Sequence, residues 1–221
     1  MQPTARPTST TVAAPSSPAV DIIDVSFGYP GTPGRALFTA LSAQVLPGLT
    51  LVRGGDGRGK TTLLRLLAGE LTPTAGRFQW ADPSGARTAS ALFWQDPRSE
   101  AHDALLVGDY MAAQRERFAG LFDDAVLAEL EAGLGLDVHV HKQLFMLSTG
   151  SKRKVFLAAA LASGAALTLL DEPFAALDAP SIRCVLRALN KAAADPVRAC
   201  VMADYSAPDG VPLAGVIDLG D

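Results

Sequence analysis

The sequence predicts an α/β fold: a sheet carrying a phosphate-binding loop, with a helical stretch inserted before its second apolar strand. Three observations lead there. The run Gly54-Gly55-Asp56-Gly57-Arg58-Gly59-Lys60-Thr61-Thr62 places Gly54, Gly59, Lys60 and Thr61 at the spacing of a phosphate loop. An apolar strand, Leu49 to Val52, precedes that loop, and Leu63 to Gly69 follows it as a helix closed by glycine. Further on, the apolar strand Leu167 to Leu170 ends in Asp171-Glu172.

The elements come in order along the chain. Asp21 to Phe27 alternates like a strand, and Leu37 to Val45 does the same. Pro47-Gly48 turns into the strand before the loop, and Arg77 to Trp80 and Ser90 to Trp94 are short strand candidates. From about Asp96 the chain becomes rich in Ala, Leu, Glu and Arg. Helical spacing marks Leu105 to Phe118 and Asp123 to Leu134, with Asp123 as N-cap. A helix comes after Ser148, a strand spans Ala166 to Leu170, and Pro180 opens a helix to about Ala193. Val197 to Ala203 and Val211 to Leu219 are the closing strands.

Bulk properties narrow the function. Hydrophobic content of 48% with 19% charged residues is that of a globular domain, and the net charge of −4 gives no basic footprint for nucleic acid. Cys184 and Cys200 have no metal or redox spacing and are expected as reduced core thiols. The first twenty residues hold four prolines, seven Ser/Thr and one charge, Arg6, which predicts a disordered tail and not a signal peptide. Val155 to Leu170 is the longest apolar run. Gly164 breaks it, so a helix followed by a buried strand is expected in place of a membrane span, in a soluble protein. His102, His139 and His141 have no third ligand nearby; the last two are expected on one face of an extended segment.

The motif chemistry is that of phosphoryl transfer. Glycines let the backbone close around phosphate, and the helix N-terminus adds positive field. Lys60 is placed for the β- and γ-phosphates, Thr61 and Asp171 for Mg²⁺, and Glu172 for the attacking water.

Together these residues make the chain resemble the nucleotide-binding subunit of ATP-binding cassette (ABC) transporters, from about residue 21 to 221. The resemblance implies a P-loop NTPase core of the ABC type with a helical subdomain at about 96–165. It assigns nucleotide contacts to Tyr29 (stacking on adenine), to the loop residues Gly54, Gly55, Asp56, Gly57, Arg58, Gly59, Lys60, Thr61 and Thr62, and to Ser148, Gly150 and Asp178. Glu172, Lys60 and Gln95 become catalytic, and Thr61, Gln95 and Asp171 hold Mg²⁺. Leu147-Ser148-Thr149-Gly150-Ser151 is similar to the signature Leu-Ser-Gly-Gly-Gln, with Thr149 and Ser151 as departures. Lys152-Arg153-Lys154, just after it, is expected as a solvated helix face. Asp204 stands where the family has a histidine facing γ-phosphate, which implies slow hydrolysis.

The implied function is ATP hydrolysis that powers a separate transmembrane permease subunit. A second cassette would pair head to tail at the inner face of the plasma membrane, with ATP and Mg²⁺ as cofactors and no nucleic acid. The competing reading is a degenerate cassette that holds ATP structurally. A cassette acting on DNA or in translation fits poorly, since there is neither a heptad run nor a basic stripe.

Overall fold

The computed structural model describes residues 19–31, 36–81 and 91–220. Its strands form two sheets. β1 (Val20–Phe27) pairs antiparallel with β2 (Phe38–Val45) and with β4 (Ala75–Trp80), in the order β2-β1-β4. The second sheet is parallel and carries the chemistry. Its order is β5 (Leu92–Phe93), β6 (Leu167–Asp171), β7 (Ala199–Ala203), β3 (Gly48–Arg53) and β8 (Gly215–Asp218).

β6 and β7 are buried along their whole length, as parallel strands covered on both faces must be. Alternate residues feed two cores. Leu49 and Leu51 of β3, Leu170 of β6, and Cys200 and Met202 of β7 join one core. That core also contains residues of α2 (Val107–Arg117), α3 (Asp124–Leu134), α4 (Thr149–Ala162) and α5 (Ala179–Ala193). Val52, Leu167, Leu169, Ala199 and Val201 face the other way, onto α1 (Lys60–Ala68) and the antiparallel sheet. Both cysteines are buried and free.

Caps set several boundaries as the sequence predicts. Asp123 accepts from the N–H groups of Ala125 and Val126 at 3.0 Å, and Asp178 caps α5 through Ser181 N–H at 2.8 Å. Gly69 closes α1 in the left-handed conformation. Other boundaries differ. β1 begins at Val20, which is fully buried, one residue ahead of the expected start. Residues 1–18 of the expected tail fall outside the described residues, as does Ser90 of the second short strand candidate. β7 starts two residues late because the Asp195 carboxylate takes the N–H groups of Val197 and Arg198 at 2.9 and 2.8 Å, bending that segment away from the ladder. Of the expected Val211 to Leu219, only Gly215–Asp218 form β8; Pro212 cannot donate to a ladder. His139 lies in a 3₁₀ turn, Asp137–His139, and not in an extended segment.

Gly164 makes the turn from α4 into β6 with φ +65, and a Cβ there would meet the Leu121 carbonyl at 2.1 Å. Gly164→Ala is expected to destabilise the chain by about 2 kcal/mol or more. The check is a lower denaturant midpoint with an unchanged slope.

Candidate active site

The phosphate loop spans the gap between the end of β3 at Arg53 and the start of α1 at Lys60. Gly57 and Gly59 have φ +72 and +94, and a Cβ on Gly59 would strike Leu37 and Phe38 side-chain atoms at 2.7 Å. Gly54 is buried under the loop, and Gly55 N–H donates to Gly220 O at 2.9 Å, so the last residues clamp the loop from below. Lys60 is 7% exposed, and its ammonium donates to Gly54 O at 2.7 Å and Gly55 O at 3.2 Å. No acidic side chain occupies the first turn of α1, so the positive field of that helix end is not neutralised.

A cleft of about 440 Å³ opens over the loop, walled by Tyr29, Leu37, Gly55, Asp56, Gly57, Gly59, Lys60, Thr61, Thr62, Arg98 and Glu172. At one end the Tyr29 hydroxyl shares a 2.9 Å hydrogen bond with Thr62 Oγ1, and its exposed ring packs edge-on against Phe27. Glu172 also lines the cleft, and Asp171, the last residue of β6, meets it through Thr61. Thr61 Oγ1 donates to Asp171 Oδ2 at 2.9 Å. Asp171 is 5% exposed and its Oδ1 has no hydrogen-bond partner among the described residues. Burial, reinforced by the Glu172 charge, holds the Asp171 carboxyl above the usual carboxylate range against the Thr61 hydrogen bond.

A hydroxyl beside an unpartnered carboxylate oxygen is the donor set a hard divalent cation takes when phosphate oxygens and waters complete its shell. Among the described residues no group of three or more His, Cys, Asp or Glu could hold a metal unaided, so any cation here depends on the substrate's oxygens.

Glu172 sits just past β6 at φ +45, unusual for a side chain larger than glycine and typical of a strained functional position. Its N–H donates to Ala203 O at 2.9 Å, and Arg98 Nη2 lies 3.8 Å from its carboxylate. Asp204, at the end of β7, is half-buried, and burial raises its carboxyl above the ordinary range.

The predicted residues do not all meet in this cleft. Gln95 lines a small adjoining crevice with Arg153, Asp171 and Pro173, and its Nε2 donates to Asp96 O at 3.2 Å. Arg58 is exposed on the loop's outer side. Ser148, Gly150 and Asp178 stand outside the cleft. Ser148 Oγ caps α4 by accepting from Ser151 N–H at 3.1 Å. Gly150 packs against the loop after β6 so closely that a Cβ would meet Ala176 O at 2.4 Å. A second groove of similar volume lies between α3 and α5, where Leu130, Cys184 and Arg187 are among its walls; it contains none of the loop residues.

The expectation of a solvated basic face on α4 is corrected. Consecutive helix residues point about 100° apart, and the three cations go to three different elements. Lys152 donates to Ser99 O at 3.0 Å and forms an ion pair with Asp103. Arg153 is buried and donates from Nη1 to Asp171 O at 3.0 Å and to Glu172 O. Lys154 pairs with Asp178 at 2.8 Å and holds that carboxylate well below its usual range. Sequence reasoning also missed Arg98 and Tyr205. Arg98 carried a signal, being a cation three residues after Gln95. Tyr205 carried none beyond its place after Asp204.

The β6 end can be probed in two ways. Because Asp171 binds its proton more tightly folded than unfolded, its contribution to stability is greatest at acid pH and declines as pH rises through its folded pKa. Asp171→Asn should therefore raise the melting temperature of the nucleotide-free protein at pH 7, with a smaller gain near pH 4. Arg153→Met leaves two carbonyls without their donor and should cost about 2 kcal/mol in chemical denaturation.

Known proteins share this site's framework. A family model described as ABC transporter matches residues 40–175, more than half of the chain. The cytochrome c biogenesis ATP-binding export protein CcmA of Zymomonas mobilis is 38% identical over 71% of this chain and 66% of its own length. Its counterpart from Rhodospirillum rubrum is 36% identical over 81% of this chain and 79% of its own. The taurine import ATP-binding protein TauB of Pseudomonas fluorescens is 35% identical over 70% of this chain and 60% of its own. In two of these three relatives, then, the match spans slightly less than two thirds of the relative. An ABC transporter ATP-binding protein from Pyrococcus furiosus superposes with a TM-score of 0.70 at 23% identity, covering 90% of this chain and 96% of that one. With the matched segment running from β2 past the acids of β6, and the whole fold superposing on a solved ATP-binding protein, the chain belongs to the ABC transporter family and folds as its ATP-binding domain.

Proposed function

We propose that this chain is the ATP-hydrolysing subunit of a membrane transporter, driving a substrate through a separate transmembrane permease. The observation that carries the reading is the Thr61–Asp171 hydrogen bond beside Glu172, in one cleft with the loop lysine. Among the described residues no helix is long and apolar enough to cross a membrane, which agrees with a chain held at the inner face of the plasma membrane by a separate permease. The relatives include one named for export and one for import, so neither direction of transport is favoured.

Each residue's proposed role comes from its place. Lys60 exchanges its carbonyl partners for β- and γ-phosphate oxygens, and the loop amides take the remaining phosphate charge. Tyr29, at the far end of the cleft, stacks on adenine. Thr61 and Asp171 hold Mg²⁺, with Gln95 reaching in from the neighbouring crevice. When bound, the ion neutralises charge on the β- and γ-phosphate oxygens. Glu172 accepts a proton from water as the water oxygen attacks the γ-phosphorus. The bond from that phosphorus to the β–γ bridging oxygen breaks, and ADP and phosphate leave.

Residues 96–165 form the helical subdomain. Ser148, Gly150 and Asp178, outside their own cleft, face a second cassette in a head-to-tail dimer, where they complete its nucleotide site. A second reading, a cassette that holds ATP with little turnover, is favoured by Asp204, a half-buried carboxylate where the family places a histidine.

Steady-state Mg²⁺-ATP hydrolysis separates the two readings. The transporter reading expects turnover that Glu172→Gln lowers about 100-fold or more while ATP still binds, and that Lys60→Ala lowers by weakening binding. Binding with no turnover above these variants would favour the structural cassette.

A further inference from the structure

One side chain that the roles above leave unused reaches the phosphate loop from outside. Tyr205 lies just past the end of β7. Its hydroxyl donates to the Asp56 carboxylate in the loop, and Lys60 Nζ lies 3.9 Å from its ring centroid. Two separate contacts thus bring one phenol to both the acid and the lysine of the loop.

The preceding acid is engaged locally. Asp204 Oδ1 accepts from the N–H of Tyr205 at 2.7 Å, and Asp204 N–H donates to Val52 O at 3.1 Å. Of the two residues just past β7, the tyrosine is the one whose side chain touches the phosphate loop's acid and lysine. At 53% exposure it has room to pivot.

An entering anion disturbs both contacts. A terminal phosphate repels the Asp56 carboxylate and competes with it for the phenolic hydrogen. Lys60 is drawn from the ring toward phosphate oxygen, a stronger partner than a π face. The Asp56 hydrogen bond pushes the phenol up to about 12, so at neutral pH it remains a donor and adds no charge of its own.

We propose that Tyr205 is a terminal-phosphate ligand in this chain. Its hydroxyl passes its hydrogen bond from Asp56 to a γ-phosphate oxygen when ATP fills the cleft. It thereby supplies a donor that the carboxylate of Asp204 cannot. This inference rests on the ATP-hydrolysing reading of the cleft.

The test uses calorimetric titration of ATP and of ADP, with Tyr205→Phe and Tyr205→Leu each built into a Glu172→Gln background that prevents turnover. Tyr205→Phe keeps the ring and removes only the donor. It should weaken ATP about tenfold and change ADP by less than about twofold. In the otherwise native chain it should lower kcat about tenfold as well. Tyr205→Leu should show at least the same loss for ATP. Equal tightening of both nucleotides by Tyr205→Phe would overturn the inference and make the phenol a cover over the loop. No change in either affinity would overturn it too. A parent chain that binds neither nucleotide would overturn the ATP-hydrolysing reading itself, and the inference with it.

Discussion

The end of β6 is the joint on which the site depends. Asp171 is the strand's last residue and is met from three directions. From α1, Thr61 donates to its carboxylate; from α4, Arg153 donates to its carbonyl; and β7 continues the ladder through Glu172 N–H to Ala203 O. The phosphate loop, the helix after the signature turn and the strand leading to Asp204 and Tyr205 are thereby held to one residue. Burial makes these few hydrogen bonds matter. In a site this dry an unpaired carbonyl or carboxylate oxygen costs about 1–3 kcal/mol. The geometry therefore persists only while every partner is present. One oxygen departs from this: Asp171 Oδ1 has no partner among the described residues.

That exception fits the charge balance around it. Asp171, Glu172 and Asp204 lie close enough for Glu172 to raise the carboxyls of both aspartates. The cations nearby are Lys60, held by loop carbonyls, Arg98 at the cleft wall and Arg153 beneath the strand end. An acid cluster of this kind is unfavourable in the empty protein and favourable once a divalent cation arrives. The fold thus gives up stability at these acids, as ligand-binding sites commonly do. The φ of +45 at Glu172 is a second sign of the same thing, since backbone strain at that residue aims its carboxylate into the cleft.

Much of the fold was legible because its signals are local. The phosphate loop needs glycine at fixed offsets, and the strand before it and the helix after it have different periods. The caps at Asp123, Ser148 and Asp178 are read from single side chains followed by helical spacing. What stayed hidden was determined by tertiary contact. Nothing in the sequence separates the antiparallel trio β2-β1-β4 from the parallel sheet, because strand pairing is set by packing partners far away in the chain. Lys152-Arg153-Lys154 has the composition of a solvated face, and only the surroundings of α4 show that each residue has its own partner. Tyr205 meets Asp56 across 149 positions, a separation at which no local pattern is available.

The same contacts explain how a change at the signature turn can be felt at the acids within one chain. α4 begins at the turn, and Gly150 in its first turn lies against the backbone of Ala176, itself at φ +61. Lys154 one turn later holds Asp178, and Arg153 beside it holds the carbonyls of Asp171 and Glu172. α4 is therefore tied directly to the strand-end acids and to the loop beyond them. Lys152 extends the same coupling to the segment after Gln95 through Ser99 and Asp103. A helix anchored at all three points transmits displacement because its own hydrogen bonds keep its length fixed, whereas a flexible loop would absorb it. The exposed turn at Ser148 is thus joined through one helix to the end of β6 and to Glu172.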